Sequence, residues 1–125
     1  MTRVLISDKM SPSAVDVFNR HGIDVDVKVG VAVHQLLSSI DKYDGLAVRS
    51  ATDVDAPLLA AGNRLRVVGR AGIGIDNIDL TAATKQGVLV MNTPFGNSIT
   101  TAEHTIALLL SLCRQIPKAD SSIRQ

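Results

Sequence analysis

The stretch Leu65-Arg-Val-Val-Gly-Arg-Ala-Gly-Ile-Gly-Ile-Asp-Asn77 carries a short β-rich apolar run straight into glycines. A strand, a glycine turn and a following helix are the parts of a βα unit, in which successive strands lie parallel. The same unit recurs outward from it. Apolar runs at Arg3–Ser7, Ile23–Val27, Gly45–Arg49, Leu65–Gly69 and Val88–Asn92 are spaced almost evenly, with helical patterns between them. Ser11 followed by Pro12 marks the N-cap and first turn of one helix, which buries Ala14, Val15 and Phe18 and stops at Gly22. Val33, Leu36, Leu37 and Ile40 follow helical spacing, so they form the inward stripe of a second. A third runs from Asp55-Ala-Pro57 to Gly62, and a fourth begins near Asp79, turns Leu80 and Ala83 inward and ends at Gly87. This alternation predicts an α/β, flavodoxin-like, doubly wound parallel sheet with helices on both faces.

The tail breaks the rhythm. Thr100-x-x-Glu103 reads as a capping box, and Ala107–Leu112 is apolar on nearly every side, as a helix covered by a larger body or a partner would be. Pro117 ends or kinks that helix and opens another short one.

Bulk composition excludes several classes. The 125 residues carry 13 basic and 12 acidic side chains, so no basic field for nucleic acid exists, and three aromatics offer few platforms for base stacking. The longest uncharged helical stretch, Thr105–Cys113, is too short to span a bilayer. One cysteine, Cys113, makes no internal disulfide; set in an apolar segment it is expected to be a buried structural thiol. With no signal peptide at the N-terminus, the expectation is a cytoplasmic chain. No His/Cys/carboxylate spacing suits a metal.

The glycines admit two kinds of ligand. A dinucleotide fingerprint requires three glycines as G-x-G-x-x-G and a carboxylate at the end of the next strand. Here Gly72 and Gly74 are followed by Asn77, and the next strand ends in Asn92-Thr93. The alternative is a nest of backbone N–H groups for a small anion. In an open parallel sheet, ligands meet the carboxyl ends of the strands. Those ends supply Arg49 and Ser50, then Arg70, Ala71 and Gly72, then Asn92, Thr93 and the loop to Asn97. Two arginines flanking glycines form an anion-binding rim, since a guanidinium grips carboxylate or phosphate with two charge-assisted bonds. An aspartate at the end of the third strand, which a phospho-accepting receiver domain needs, is replaced by Arg49.

Four segments, Val48-Arg-Ser-Ala-Thr52, Gly69–Asp79, Val90-Met-Asn-Thr-Pro94 and Ala102-Glu-His-Thr-Ile-Ala107, together resemble the D-isomer-specific 2-hydroxyacid dehydrogenases. Arg114-Gln-Ile-Pro-Lys-Ala-Asp120 is similar to the phosphoglycerate-oxidising branch. The resemblance implies an NAD-dependent oxidoreductase acting on phosphoglycerate in serine biosynthesis, with glyoxylate or hydroxypyruvate as alternative substrates. It implies that residues 1–97 belong to the substrate domain. Residues 98–125 are linking and interface helices at the start of a Rossmann domain lying beyond Gln125. Catalytic groups would lie there too, leaving this chain inactive alone. Arg49 and Ser50 would face the substrate's anionic groups, with Arg70 a further basic position. Gly72, Ile73 and Gly74 would present amides to the substrate carboxylate, Ile73 would approach the nicotinamide, and Asn97 would contact substrate. The 102–114 helix, His104 included, would pair subunits in a homo-oligomer. A non-catalytic binding module of the same fold, pairing through Ala107–Leu112, is the reading from a different class.

Overall fold

The computed structural model describes residues 1–124. The chain divides into two compact units, Met1–Pro94 and Phe95–Gln125. The first holds β1 (Arg3–Ile6), α1 (Pro12–Arg20), β2 (Asp24–Val27), α2 (Val33–Leu37), a 3-10 turn (Ile40–Lys42), β3 (Gly45–Val48), α3 (Ala56–Ala61), β4 (Val67–Arg70), α4 (Leu80–Lys85) and β5 (Leu89–Asn92). The strands form one sheet in the order β2-β1-β3-β4-β5, every pairing parallel.

Right-handed crossovers dictate which face each helix takes. Only the step from β1 to β2 runs toward one edge, while the steps to β3, β4 and β5 run toward the other. α1 therefore covers one face alone. There Ala14, Val15 and Phe18 pack on Val4, Ile6 and Ala47 and remain only half-buried. On the opposite face α2, α3 and α4 enclose the main core, which includes Leu36, Ile40, Leu46, Val48, Leu58, Leu59, Val68 and Ala83. The α1 face thins toward β4 and β5. Leu89 and Met91 are more than half exposed, and a groove of about 400 Å³ opens over Ala47, Val67, Gly69 and Met91.

Local signals are met in detail at the helix starts. Ser11, Asp55 and Asp79 each accept an N-terminal amide hydrogen bond, from Ser13, Leu58 and Ala82. Gly22 and Gly87 follow their helices at φ +69°, where a Cβ would be strained. Two apolar positions depart from the sequence pattern. α2 ends at Leu37, so Ile40 is buried from the 3-10 turn and Val33 is left 70% exposed. Leu80 is 43% exposed because it opens the first turn of α4, and Ala83 takes the inward position.

The second unit comprises α5 (Ser98–Cys113) and α6 (Ile116–Ile123). Thr100 and Glu103 lie inside α5, whose N-cap is Asn97, so no capping box forms. Gln115 breaks the chain in the left-handed conformation, φ 49°, and Pro117 sits in the first turn of α6. Within this unit Leu108, Leu109, Leu110 and Leu112 are exposed, and so is Cys113, against expectation. Two helices offer too little surface to cover an apolar helix on every side. No helix among the described residues is long and apolar enough to cross a membrane.

Candidate functional site

In this strand order the direction of winding reverses between β1 and β3, the point where open parallel sheets bind ligands at their carboxyl ends. β1 delivers Ser7 and Asp8 to it, and β3 delivers Arg49 to Thr52. β4, next to β3, ends in Arg70 and the glycine loop, and β5 ends in Asn92. Six of the residues singled out from sequence (Arg49, Ser50, Arg70, Gly72, Ile73, Gly74) thus follow or end two neighbouring strands. Asn97 belongs to the second unit, where its side chain caps nothing.

Arg49 and Ser50 are exposed. The Arg49 guanidinium makes one bond among the described residues, Nη1 donating to Lys9 O at 3.3 Å, and keeps its remaining donors free. Arg70 is the opposite case. Its side chain is only 10% exposed. Nε donates to Asn77 Oδ1 at 2.7 Å and to Arg49 O at 3.2 Å, Nη1 donates to Gly74 O, and Nη2 lies 3.6 Å from Asp76 Oδ1. Arg70 is thus a strut inside the loop, although it resembles a free cation in sequence.

That strut bears directly on Gly72. Neither Gly72 nor Gly74 has a positive φ, so left-handed backbone is not what they supply. A Cβ on Gly72 would stand 2.8 Å from Arg70 Nη1, and one on Gly74 would stand 2.7 Å from Asp76 Oδ1. A side chain at Gly72 would displace the buried, hydrogen-bonded Arg70 guanidinium, whereas one at Gly74 would displace only the exposed Asp76 carboxylate. From the far side, Asn92 Nδ2 donates to Ile73 O at 2.8 Å and Thr93 N–H to Gly72 O at 3.0 Å. The Ile73 and Gly74 N–H groups donate to no protein acceptor among the described residues. With the carbonyls of 72, 73 and 74 all tied back, two free amides remain at an exposed turn. Such donors suit an anion.

Two residues of this arrangement escaped the sequence reading. Asn77, which stands where a fingerprint would have its third glycine, accepts from Arg70 and donates through Nδ2 to Arg49 O at 2.8 Å and Thr52 O at 2.6 Å. It joins the loops after β3 and β4. Asp8 is 4% exposed and collects the N–H groups of Arg49 (2.6 Å), Ala51 and Thr52 (3.2 Å each), with the Thr52 hydroxyl at 2.5 Å. Burial pushes its carboxyl up. The bonds from the Thr52 hydroxyl and the three amides outweigh that and hold it below the ordinary 3.8. The available signal was a carboxylate just past the end of a buried strand, where it must find donors. Among the described residues no group of three His, Cys, Asp or Glu is placed to hold a metal.

A five-stranded parallel sheet wound in this order, with helices on both faces, is a flavodoxin-like α/β unit. The chain belongs to the D-isomer specific 2-hydroxyacid dehydrogenase family, whose catalytic-domain model matches residues 4–119. It is 45% identical over 123 residues to a D-3-phosphoglycerate dehydrogenase of Archaeoglobus fulgidus, and 49% identical over 124 to one of Mycobacterium bovis. Each match covers 98% of this chain and 23% of the relative, so the chain spans about a quarter of their length. Among solved structures, a protein from Thermus thermophilus superposes with TM-score 0.86 at 29% identity, over 98% of this chain and 40% of its own. An NAD+-bound 3-phosphoglycerate dehydrogenase from Entamoeba histolytica does so with TM-score 0.78 at 26% identity, over 88% and 38%.

Proposed function

We propose that this chain is the substrate-recognition part of an NAD-dependent dehydrogenase that oxidises D-3-phosphoglycerate to 3-phosphohydroxypyruvate in serine biosynthesis. The carrying observation is Arg49, an exposed guanidinium beside the switch point whose own peptide groups are both hydrogen-bonded. In this reading Arg49 takes the phosphate of the substrate with Ser50, and the Ile73 and Gly74 amides take the carboxylate. Asn97, at the end of the proposed substrate segment, is read from the family likeness alone as a further substrate contact. Arg70, with Nε and Nη1 engaged, shapes the loop that Gly72 makes possible. Residues 1–97 form the substrate domain, and residues 98–125 open the cofactor domain.

The residues present do not fit a dinucleotide. The third fingerprint position is Asn77, whose amide is occupied by two carbonyls, and β5 ends in Asn92 with no carboxylate for a ribose. Ile73, 41% exposed, is the one side chain here assigned to approach the nicotinamide. NAD would supply the hydride acceptor, and this chain would bind and orient substrate. The exposed leucines of α5 favour a homo-oligomer paired through residues 102–114.

Arg49→Ala in the complete enzyme carrying this chain should weaken D-3-phosphoglycerate binding by about 1.5–3 kcal/mol, the range for hydrogen bonds to charged groups. Glyoxylate, which lacks the phosphate, should be affected less. Steady-state kinetics on both substrates decide it; unchanged phosphoglycerate KM removes Arg49 from the site, and equal losses favour the smaller 2-hydroxy acids.

A further inference from the structure

Arg49 is held in an unusual way for an exposed residue. Its N–H donates to Asp8 Oδ2 at 2.6 Å, and its carbonyl accepts from Asn77 Nδ2 at 2.8 Å and Arg70 Nε at 3.2 Å. Its guanidinium touches the carbonyl of Lys9, the neighbour of Asp8. Asp8 and Lys9 follow β1, whereas Arg49 follows β3, so these contacts span the point where the sheet reverses direction.

Asp8 is the central holder. Its Oδ2 accepts three amides from four consecutive residues, those of Arg49, Ala51 and Thr52. Its Oδ1 accepts the Thr52 hydroxyl, which also lies 2.9 Å from Ser7 Oγ. An amide could keep the three N–H donors on its oxygen only by turning its NH2 to the Thr52 hydroxyl, and it would bring no negative charge to them. The loop is thereby wound around a buried negative charge, while the Arg49 side chain stays exposed. A cation whose backbone is fixed in advance spends less entropy on gripping an anion.

We infer that Asp8 is a positioning residue for substrate binding, acting through Arg49. This rests on the reading of Arg49 given above, and adds to it the residue that makes the arginine effective. Asp8 touches no substrate in this scheme. Its removal should therefore loosen binding while leaving the chemical step alone.

The test uses the complete enzyme with D-3-phosphoglycerate. Asp8→Asn should raise KM about tenfold and change kcat by less than about threefold, the pattern of lost binding shared by ground and transition states. The double variant Asp8→Asn/Arg49→Ala should be no weaker than Arg49→Ala alone, within about twofold, because residues acting through one contact are not additive. A purely structural Asp8 would instead multiply its loss onto that of Arg49. If Asp8→Asn fails to fold, Thr52→Val removes one bond to the carboxylate and should raise KM about threefold. The inference is overturned if a folded Asp8→Asn keeps KM within twofold while Arg49→Ala loses affinity, or if the two losses multiply. An unchanged KM in Arg49→Ala itself marks failure of the underlying substrate reading and takes this inference with it.

Discussion

The two faces of the sheet are built to different standards. One is sealed by α2, α3 and α4 over fourteen buried side chains, from Leu5 to Val88. The other buries only Val4, Ile6 and Ala47 beneath α1, and leaves Leu89 and Met91 exposed at β5. Both faces carry apolar residues, so hydrophobicity alone does not separate them. The difference is topological. Three crossovers run one way and one runs the other, so handedness assigns three helices to one side. The sealed face can hold the unit together, whereas the β4–β5 end of the other leaves apolar side chains uncovered.

Substitutions on the two faces should diverge accordingly. Leu59→Ala on the sealed face, where Leu59 is 1% exposed, should cost about 2–5 kcal/mol in urea unfolding of the 125-residue chain. A cost below about 1 kcal/mol would mean that this core is far looser than its burial implies.

At the carboxyl edge, where the two faces meet, Asp8 supplies a smaller, pH-dependent effect. Its carboxyl lies below 3.8 in the folded chain, the direction set by hydrogen bonds outweighing burial. A depressed pKa stabilises fully above the unfolded value and is lost as pH falls through the folded one. The gap in Tm between parent and Asp8→Asn should therefore be complete above pH 3.8 and close below it. A gap that widens in acid would reverse the assignment.

Smallest of all is the open face. Met91→Ser should change stability by no more than about 0.5 kcal/mol, as at an ordinary surface position. A larger loss that grows with protein concentration would show a second copy covering β4 and β5, and would end the contrast between the faces.

Much of this arrangement was legible along the chain. The strand–helix beat, the caps at Ser11, Asp55 and Asp79, and the stops at Gly22 and Gly87 are local events, decided by neighbours within a turn. That Arg49 and the glycine loop lie at one edge was legible because strand ends converge in any parallel sheet. The misreadings have different causes. The second helix stops at Leu37, short of Ile40; Leu80 opens the first turn of a helix whose start was read correctly; and the Thr100–Glu103 box lies inside a helix that begins at Ser98. Arg70 and Asn77 were read by residue type, while their roles depend on partners up to 28 positions distant.

Sequence alone determined the order of elements and the family likeness, because period and motif are properties of short segments. Only the tertiary structure decided which arginine is free and which is a strut, that Gly72 lies against the Arg70 guanidinium, and that Asp8 holds the loop carrying Arg49. Those outcomes depend on how donors and acceptors are shared among loops brought together from β1, β3, β4 and β5, and no segment contains enough of the partners to fix that sharing by itself.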